Sequence, residues 1–487
     1  YTTGFEIAVK EGKAKSIMSS YNEVNGIYAN ENSHMLQEIL VDEWGFDGFV
    51  VSDWGGSNDH ALGVKNGSHL EMPGTGNSGV HDIVEAVKNG NLTEEVLDQR
   101  LDELLSVIID THQATEEKKG TAFNVEAHHE LARKAAEESV VLLKNEDNIL
   151  PLRSGTKVTV IGDFAQNPRY QGAGSSLVNP AKQPEFILGE IGSSGLEMVA
   201  FEQGYRRNKK SDEKLLNQAK EAAKKAEVVL IFAGLDEISE SEGLDRTHMN
   251  MPQAQNMLID EITTVNPNVI VVLSAGSAVV MPWYSYVRGI VHGYLGGQAG
   301  ASAMLNVLTG KVCPSGKLNE TYPIHCEDTP VQHYYPSKER SSEYREALYV
   351  GYRYYTTVDK KVRFPFGFGL SYTTFKYSDL KMDESGVTFQ IRNTGKIKGT
   401  EIAQLYVGRK SDTVFRPVRE LKGFARVTLE AGESKTVHIG FDDKTFRFYD
   451  TRTDTWEIET GDYEIMVGCD AQTMLLTDKL YVAGTVK

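Results

Sequence analysis

The 487-residue chain is poor in cysteine: it has three, Cys313, Cys326 and Cys469. They are far apart and odd in number, so neither a disulfide framework nor a cysteine-built zinc site is indicated. Long apolar runs are missing, and none approaches the roughly 18 residues that a bilayer span requires. Basic charge is in deficit, with 51 Lys and Arg against 68 Asp and Glu and a net charge of −17. Nucleic acid and anionic membranes both select a basic face. The balance therefore argues against both as partners and is compatible with a neutral substrate. No internal repeat or low-complexity tract is present. No signal peptide is legible after Tyr1, and the compartment stays open.

Three familiar motifs are also lacking. "VTVIGDFAQ" followed by "QGAGSSLV" suggests a nucleotide-binding turn, but Gly172 and Gly174 are followed by Leu177, which breaks the G-x-G-x-x-G spacing. "SAGSA" around Ser277 is not the G-x-S-x-G of a serine hydrolase. His128 and His129 have no acidic or cysteine partner at ligand spacing. No cofactor and no metal is implied.

What remains is an ordinary globular composition, 40% hydrophobic and 24% charged. The length allows roughly two to four domains. Residues 1–112 alternate strand and helix signals: "AKSIMSSYN", a helix "ENSHMLQEILVDEWG" closed by Gly45, "GFVVSDW", a short helix around "DHALGVKNG", "HLEMPG", and a long amphipathic helix with Thr93 as N-cap. Such alternation means βαβ units and a parallel sheet. Residues 113–127 read as a charged linker. A second α/β region spans 128–325, and its near-continuous Val/Ile/Leu runs indicate strands buried on both faces. Residues 326–374 are rich in Tyr and Arg and irregular. From 375 to 487 short alternating strands suggest a β-sandwich.

In parallel α/β folds reactive groups sit at the carboxyl ends of strands. "SYN", "SDW" and "LEMPG" deliver Asn22, Asp53 and Glu71 to one such rim. Beside Asp53, Trp54 offers a flat apolar face for stacking on a sugar ring. A second acidic cluster, "DEISESEGLDR", follows the strand "EVVLIFAGL" and holds Asp236, Glu237, Glu240, Glu242 and Asp245. Two carboxylates from different elements are what glycoside hydrolysis needs: one attacks the anomeric carbon and the other protonates the departing oxygen. Spacing alone leaves all five loop acids as candidates.

"SYNEVNG", "EWGFDGFVVSDWGG", "HLEMPG", "SVVLLKNEDNILPL", "ESEGLDR", "PSGKLNETYP", "YVGYRYY" and "FPFGFGLSYTTF" together resemble the β-glucosidases of glycoside hydrolase family 3. The resemblance runs over almost the whole chain, in the family's order. It implies the C-terminal part of a TIM-like barrel, an α/β sandwich and a fibronectin type III-like domain. It also implies that Asp53 is the nucleophile, that Glu242 is the acid/base, that Tyr21 orients the nucleophile, and that Met18 and Trp54 line the sugar site. The expected reaction is retaining, exo-acting removal of β-glucosyl residues from a glucoside or oligosaccharide. The two carboxyl groups should then lie about 5–5.5 Å apart, with the acid's pKa raised. Trp54 favours glucose. A β-xylosidase or a broader exo-β-glycosidase is the alternative enzyme, and a non-catalytic, carbohydrate-binding scaffold is the alternative of another class. Family barrels are longer at their start. The rest of the barrel is therefore expected from the same protein or from a companion chain. Two positions depart from the family pattern: His69, where aspartate is usual, and Cys313, where asparagine is common.

Overall fold

The apolar runs of the sequence become strands in two units, Tyr1–Phe123 and Asn124–Lys487. The structure, a computed structural model, describes residues 1–207, 211–411 and 414–486.

In the first unit Ser16–Met18 and Phe49–Val51 pair in parallel, with Ile17 opposite Val50 and Met18 opposite Val51. Leu70 bridges Val51 in parallel, so the segment after His69 flanks Phe49–Val51. Val50 is the buried centre of a small core with Val9, Leu36, Leu40 and Phe46. The helix expected before Gly45 is His34–Glu43 and is wound wider than an α-helix. Its last turn closes by a bond from the Trp44 N–H to the Ile39 carbonyl at 3.0 Å, five residues back. Gly45 then takes φ +69°, where a side chain would be strained.

The long helix is Glu94–Glu117, and its N-cap is Thr93, whose hydroxyl accepts the Val96 N–H at 3.3 Å. It runs into the stretch read as a linker and stops only before Gly120, at φ +85°. Nothing between His112 and Glu117 breaks a helix, and the Thr115 hydroxyl donates to the Thr111 carbonyl at 2.8 Å within it. The connection to the next helix, Val125–Ser139, is correspondingly shorter than 113–127. Leu101, Leu105, Ile108 and Ile109 form an exposed apolar stripe on the long helix.

In the second unit a six-stranded sheet has the order Val141–Asn145, Gly289–His292, Val269–Ser274, Val228–Gly234, Lys157–Ile161 and Glu197–Glu202. Val141–Asn145 is antiparallel to its neighbour, and the other pairs are parallel. Val228–Gly234 is buried at every position, as a strand covered on both faces requires. Its carboxyl end leads directly into the acidic loop. Beyond residue 374 two antiparallel sheets, of three and four strands, face each other over a core that includes Phe389, Leu405 and Ile465. This sandwich is tied to the α/β sheet region by the Lys317–Glu401 ion pair at 3.1 Å, with both side chains largely buried. Cys313, Cys326 and Cys469 are free.

Candidate active site

Asp53 follows a strand fixed from both sides. Toward Ser16–Met18, the Phe49 N–H donates to the Lys15 carbonyl at 3.1 Å and the Val51 carbonyl accepts the Ser19 N–H at 2.9 Å. Toward residues 69–72, the Ser52 N–H donates to the Leu70 carbonyl at 2.9 Å. The Ser52 hydroxyl accepts the Met72 N–H at 2.9 Å. Ser52 itself is fully buried. The chain then turns sharply: the Gly56 N–H donates to the Asp53 carbonyl at 2.9 Å, with Gly55 at φ +77°. One Asp53 carboxylate oxygen accepts the Trp54 N–H at 2.7 Å. The side chain is half-buried, whereas Trp54, Met18 and Tyr21 are exposed. Parallel register puts Tyr21 and Asp53 beyond the same ends of neighbouring strands. The other two rim residues are engaged locally. Asn22 donates to the Glu23 carbonyl at 3.1 Å, and Glu71 pairs with His60 at 2.9 Å.

In the second unit the five loop acids have separate fates. Asp236 is buried and accepts the Ser239 N–H at 2.8 Å, a turn cap. Glu237 takes both of its bonds from Arg207, at 3.2 Å each. Asp245 accepts the Tyr335 hydroxyl at 3.0 Å. Glu240 is a clasp: it pairs with buried Arg169, accepts the Gly276 N–H at 2.8 Å and accepts the Ser277 hydroxyl. Burial works to raise the Glu240 pKa, but Ser277, Gly276 and Arg169 together hold it below the usual carboxylate range. Arg169 also donates to the Leu235 and Glu240 carbonyls, at 3.0 and 3.2 Å, so one guanidinium straps both ends of the loop's first half. Replacing Arg169 by methionine leaves Glu240 a buried charge without its nearest cation. The expected cost is about 3 kcal/mol, read as a lower unfolding midpoint of the second unit.

Glu242 is the remaining acid. It is exposed, and among the described residues it forms no ion pair. Its carboxylate accepts the Ser175 N–H at 2.5 Å. The Ser175 hydroxyl and this N–H hold the Glu242 pKa below the ordinary glutamate value. That runs against the raised pKa expected from the sequence, and the reason is physical: the exposed carboxylate accepts from Ser175, and those bonds outweigh the desolvation that would favour the neutral acid. Gly174 makes the approach possible. A Cβ there would lie 2.5 Å from the Glu242 Cβ, and its φ is +90°. Arg169 and Ser175 carry no signature in the sequence, and the "QGAGSSLV" stretch that holds Gly174 shows only a broken G-x-G-x-x-G spacing.

Comparison with known proteins decides what these two halves belong to. The family descriptions that match are "Glycosyl hydrolase family 3 N terminal domain" over 1–107, "Glycosyl hydrolase family 3 C-terminal domain" over 140–372 and "Fibronectin type III-like domain" over 401–471. A β-glucosidase from Bifidobacterium adolescentis, solved by crystallography, superposes with a TM-score of 0.95 at 38% identity, covering 100% of this chain and 72% of that one. The chain belongs to glycosyl hydrolase family 3.

Among curated relatives, the thermostable β-glucosidase B of Acetivibrio thermocellus is 44% identical over 499 residues. An exo-α-(1→6)-L-arabinopyranosidase of Bifidobacterium breve is 39% identical over 503. Each alignment covers 100% of this chain and 66% of the relative, so the chain spans about two thirds of their length. In family 3 terms the first unit is the C-terminal part of a TIM-like barrel, followed by the α/β sandwich and the fibronectin type III-like domain. The relatives carry the matched span within one longer polypeptide, so a companion chain supplying the rest of the barrel is not supported.

Proposed function

We propose that this family 3 chain serves a retaining exo-β-glucosidase, with Asp53 as nucleophile and Glu242 as acid/base. The observation that carries the reading is the allocation of partners among the acids. Asp236, Glu237, Glu240 and Asp245 are each committed to a cap, an ion pair, a clasp or a hydroxyl. Among the described residues the Glu242 carboxylate is bound by Ser175, a neutral partner, on a loop anchored at its base.

In the first step an Asp53 carboxylate oxygen attacks the anomeric carbon and Glu242 gives its proton to the departing glycosidic oxygen. In the second, Glu242 takes a proton from water, and the hydroxide displaces Asp53 from the sugar. Asp53 acts through its carboxylate, one oxygen of which is held by the Trp54 N–H at 2.7 Å. Glu242 must leave Ser175 and enter a drier setting before it acts as an acid, since its depressed pKa suits the base of the second step and not the acid of the first. The indole of Trp54 supplies an apolar face for the sugar's C–H groups, with Met18 beside it and Tyr21 orienting Asp53. Neither step calls for a cofactor.

The test is hydrolysis of p-nitrophenyl β-glucoside by the whole polypeptide that carries these 487 residues, with the first-formed anomer followed by proton NMR. β-Glucose as first product is expected. α-Glucose first, or sugar binding without turnover, would overturn the reading and, in the second case, favour a binding scaffold. The 39%-identical arabinopyranosidase makes α-L-arabinopyranoside the competing substrate to assay alongside β-xyloside.

Gly174→Ala tests the Glu242 loop. The added methyl meets Glu242 at 2.5 Å, and misplacement of a reacting group by about 1 Å costs about 10²-fold. A fall of about that size in kcat at nearly unchanged KM is the expected result, with a somewhat lower melting temperature because a side chain at φ +90° is strained.

A further inference from the structure

His69 lies in the first unit, beside the strand that presents Asp53, and its imidazole occupies a place in that strand's hydrogen-bond ladder. The outward side of Val50 faces residues 69 and 70. Its carbonyl accepts the His69 N–H at 3.0 Å and the Leu70 N–H at 3.1 Å. Its N–H has no carbonyl to meet and donates instead to the His69 ring nitrogen Nδ1, at 3.0 Å. A nitrogen that accepts carries no proton, so the ring proton is on Nε2. Nε2 lies 2.7 Å from Glu103 Oε2, a carboxylate that can only accept. The two contacts are met together by a single state of the ring, neutral with Nε2–H. The side chain is 3% exposed.

We propose that His69 is a positioning residue whose neutral imidazole completes the ladder of Phe49–Val51 and so fixes Asp53, and that protonation of the ring at acid pH undoes this bond. An imidazolium would aim Nδ1–H at the Val50 N–H, donor against donor. The inference rests on the reading of Asp53 as nucleophile for its catalytic consequence, but not for its chemistry.

The charged groups acting on the ring are both on the helix Glu94–Glu117. Glu103 favours the cation and Arg100, paired with Glu103, opposes it. Gln37 beyond Arg100 is neutral, Val50 contributes its backbone N–H, and the Gly67 backbone favours the protonated ring. Burial is the largest influence and moves the His69 pKa below its ordinary 6.5. The unfolded chain therefore binds this proton more readily than the folded one. The stabilisation is complete above about pH 6.5 and is lost as pH falls through the lower folded value.

Two readouts without turnover and one with it test the proposal on the whole polypeptide. Selective ¹⁵N-histidine labelling with long-range ¹H–¹⁵N correlation at pH 7 should show the Nε2–H tautomer for the resonance missing in His69→Asn. Hydrogen exchange of the peptide holding residues 49–53, corrected for intrinsic rate, should quicken about tenfold between pH 7 and pH 5 in the wild type. It should not do so in His69→Asn, whose amide oxygen accepts the Val50 N–H without titrating. In the same variant the acid limb of kcat should move down by about one pH unit with KM unchanged, whereas His69→Leu, lacking any acceptor, should lose about tenfold in kcat throughout. A ring protonated on Nδ1 or charged at pH 7 would overturn the proposal, whether or not His69→Leu folds. So would pH-independent exchange in the wild type, or a wild-type acid limb in His69→Asn. Failure of the Asp53 reading shows separately, as full turnover by Asp53→Asn.

Discussion

Asp53→Asn should lower turnover of an aryl β-glucoside by about 10⁴-fold or more, because loss of a covalent nucleophile removes a step and not merely a contact. The fold should survive. The backbone there is held by Ser52, Leu70 and Met72, and none of those bonds uses the Asp53 side chain. The asparagine oxygen also keeps an acceptor for the Trp54 N–H. An unchanged circular dichroism spectrum and melting temperature beside the lost activity separate chemistry from folding. In Asp53→Gly, which empties that place, added azide should restore part of the rate and yield the glycosyl azide of inverted configuration, since the small anion then attacks the face that the side chain no longer covers.

Glu242→Ala should behave differently with different leaving groups. General acid catalysis contributes about 10²–10⁴-fold, and a substrate whose aglycone departs without a proton does not need it. Hydrolysis of cellobiose should fall by about that amount. With a dinitrophenyl β-glucoside the first step should be nearly intact, and the glycosyl-enzyme should accumulate as a burst. Azide should now speed the second step and give the azide of retained configuration. Equal losses on both substrates would remove Glu242 from the acid's role. The clasp residue Glu240 provides the contrast. Its replacement should lower the melting temperature, since it binds Arg169, Gly276 and Ser277, without this dependence on leaving group.

The architecture was legible where local pattern and burial agree. Val228–Gly234 reads as a doubly covered strand and is buried throughout. Asp53 was legible because an apolar run that stops at a carboxylate marks the carboxyl end of a parallel strand. The helix end at Glu117 was misplaced because charge suggested a linker, whereas helix propensity continues until Gly120. The wide turn that closes His34–Glu43 has no signature in apolar spacing.

The acidic loop shows a different limit. What distinguishes its five carboxylates is who pairs with each, and the partners come from far away in sequence: Arg207 is 30 residues from Glu237, Arg169 is 71 from Glu240 and Tyr335 is 90 from Asp245. The Glu242 pKa was misjudged for the same reason, since Ser175 lies 67 residues upstream. Local pattern tells where a chain turns. Which acid is spoken for depends on tertiary contacts, and the choice of Glu242 among the five rests on family resemblance.

The most direct measurement is covalent trapping. A dinitrophenyl 2-deoxy-2-fluoro-β-glucoside slows both steps by withdrawing electrons from the anomeric centre, and its good leaving group lets the first step outrun the second. Incubated with the whole polypeptide, digested and analysed by mass spectrometry, it should leave one fluoroglucosyl group on the peptide containing "VVSDWGG", with fragmentation placing it on Asp53. Label on Glu71, Glu242 or any other carboxylate, or turnover of the reagent with no label on Asp53, would contradict the account.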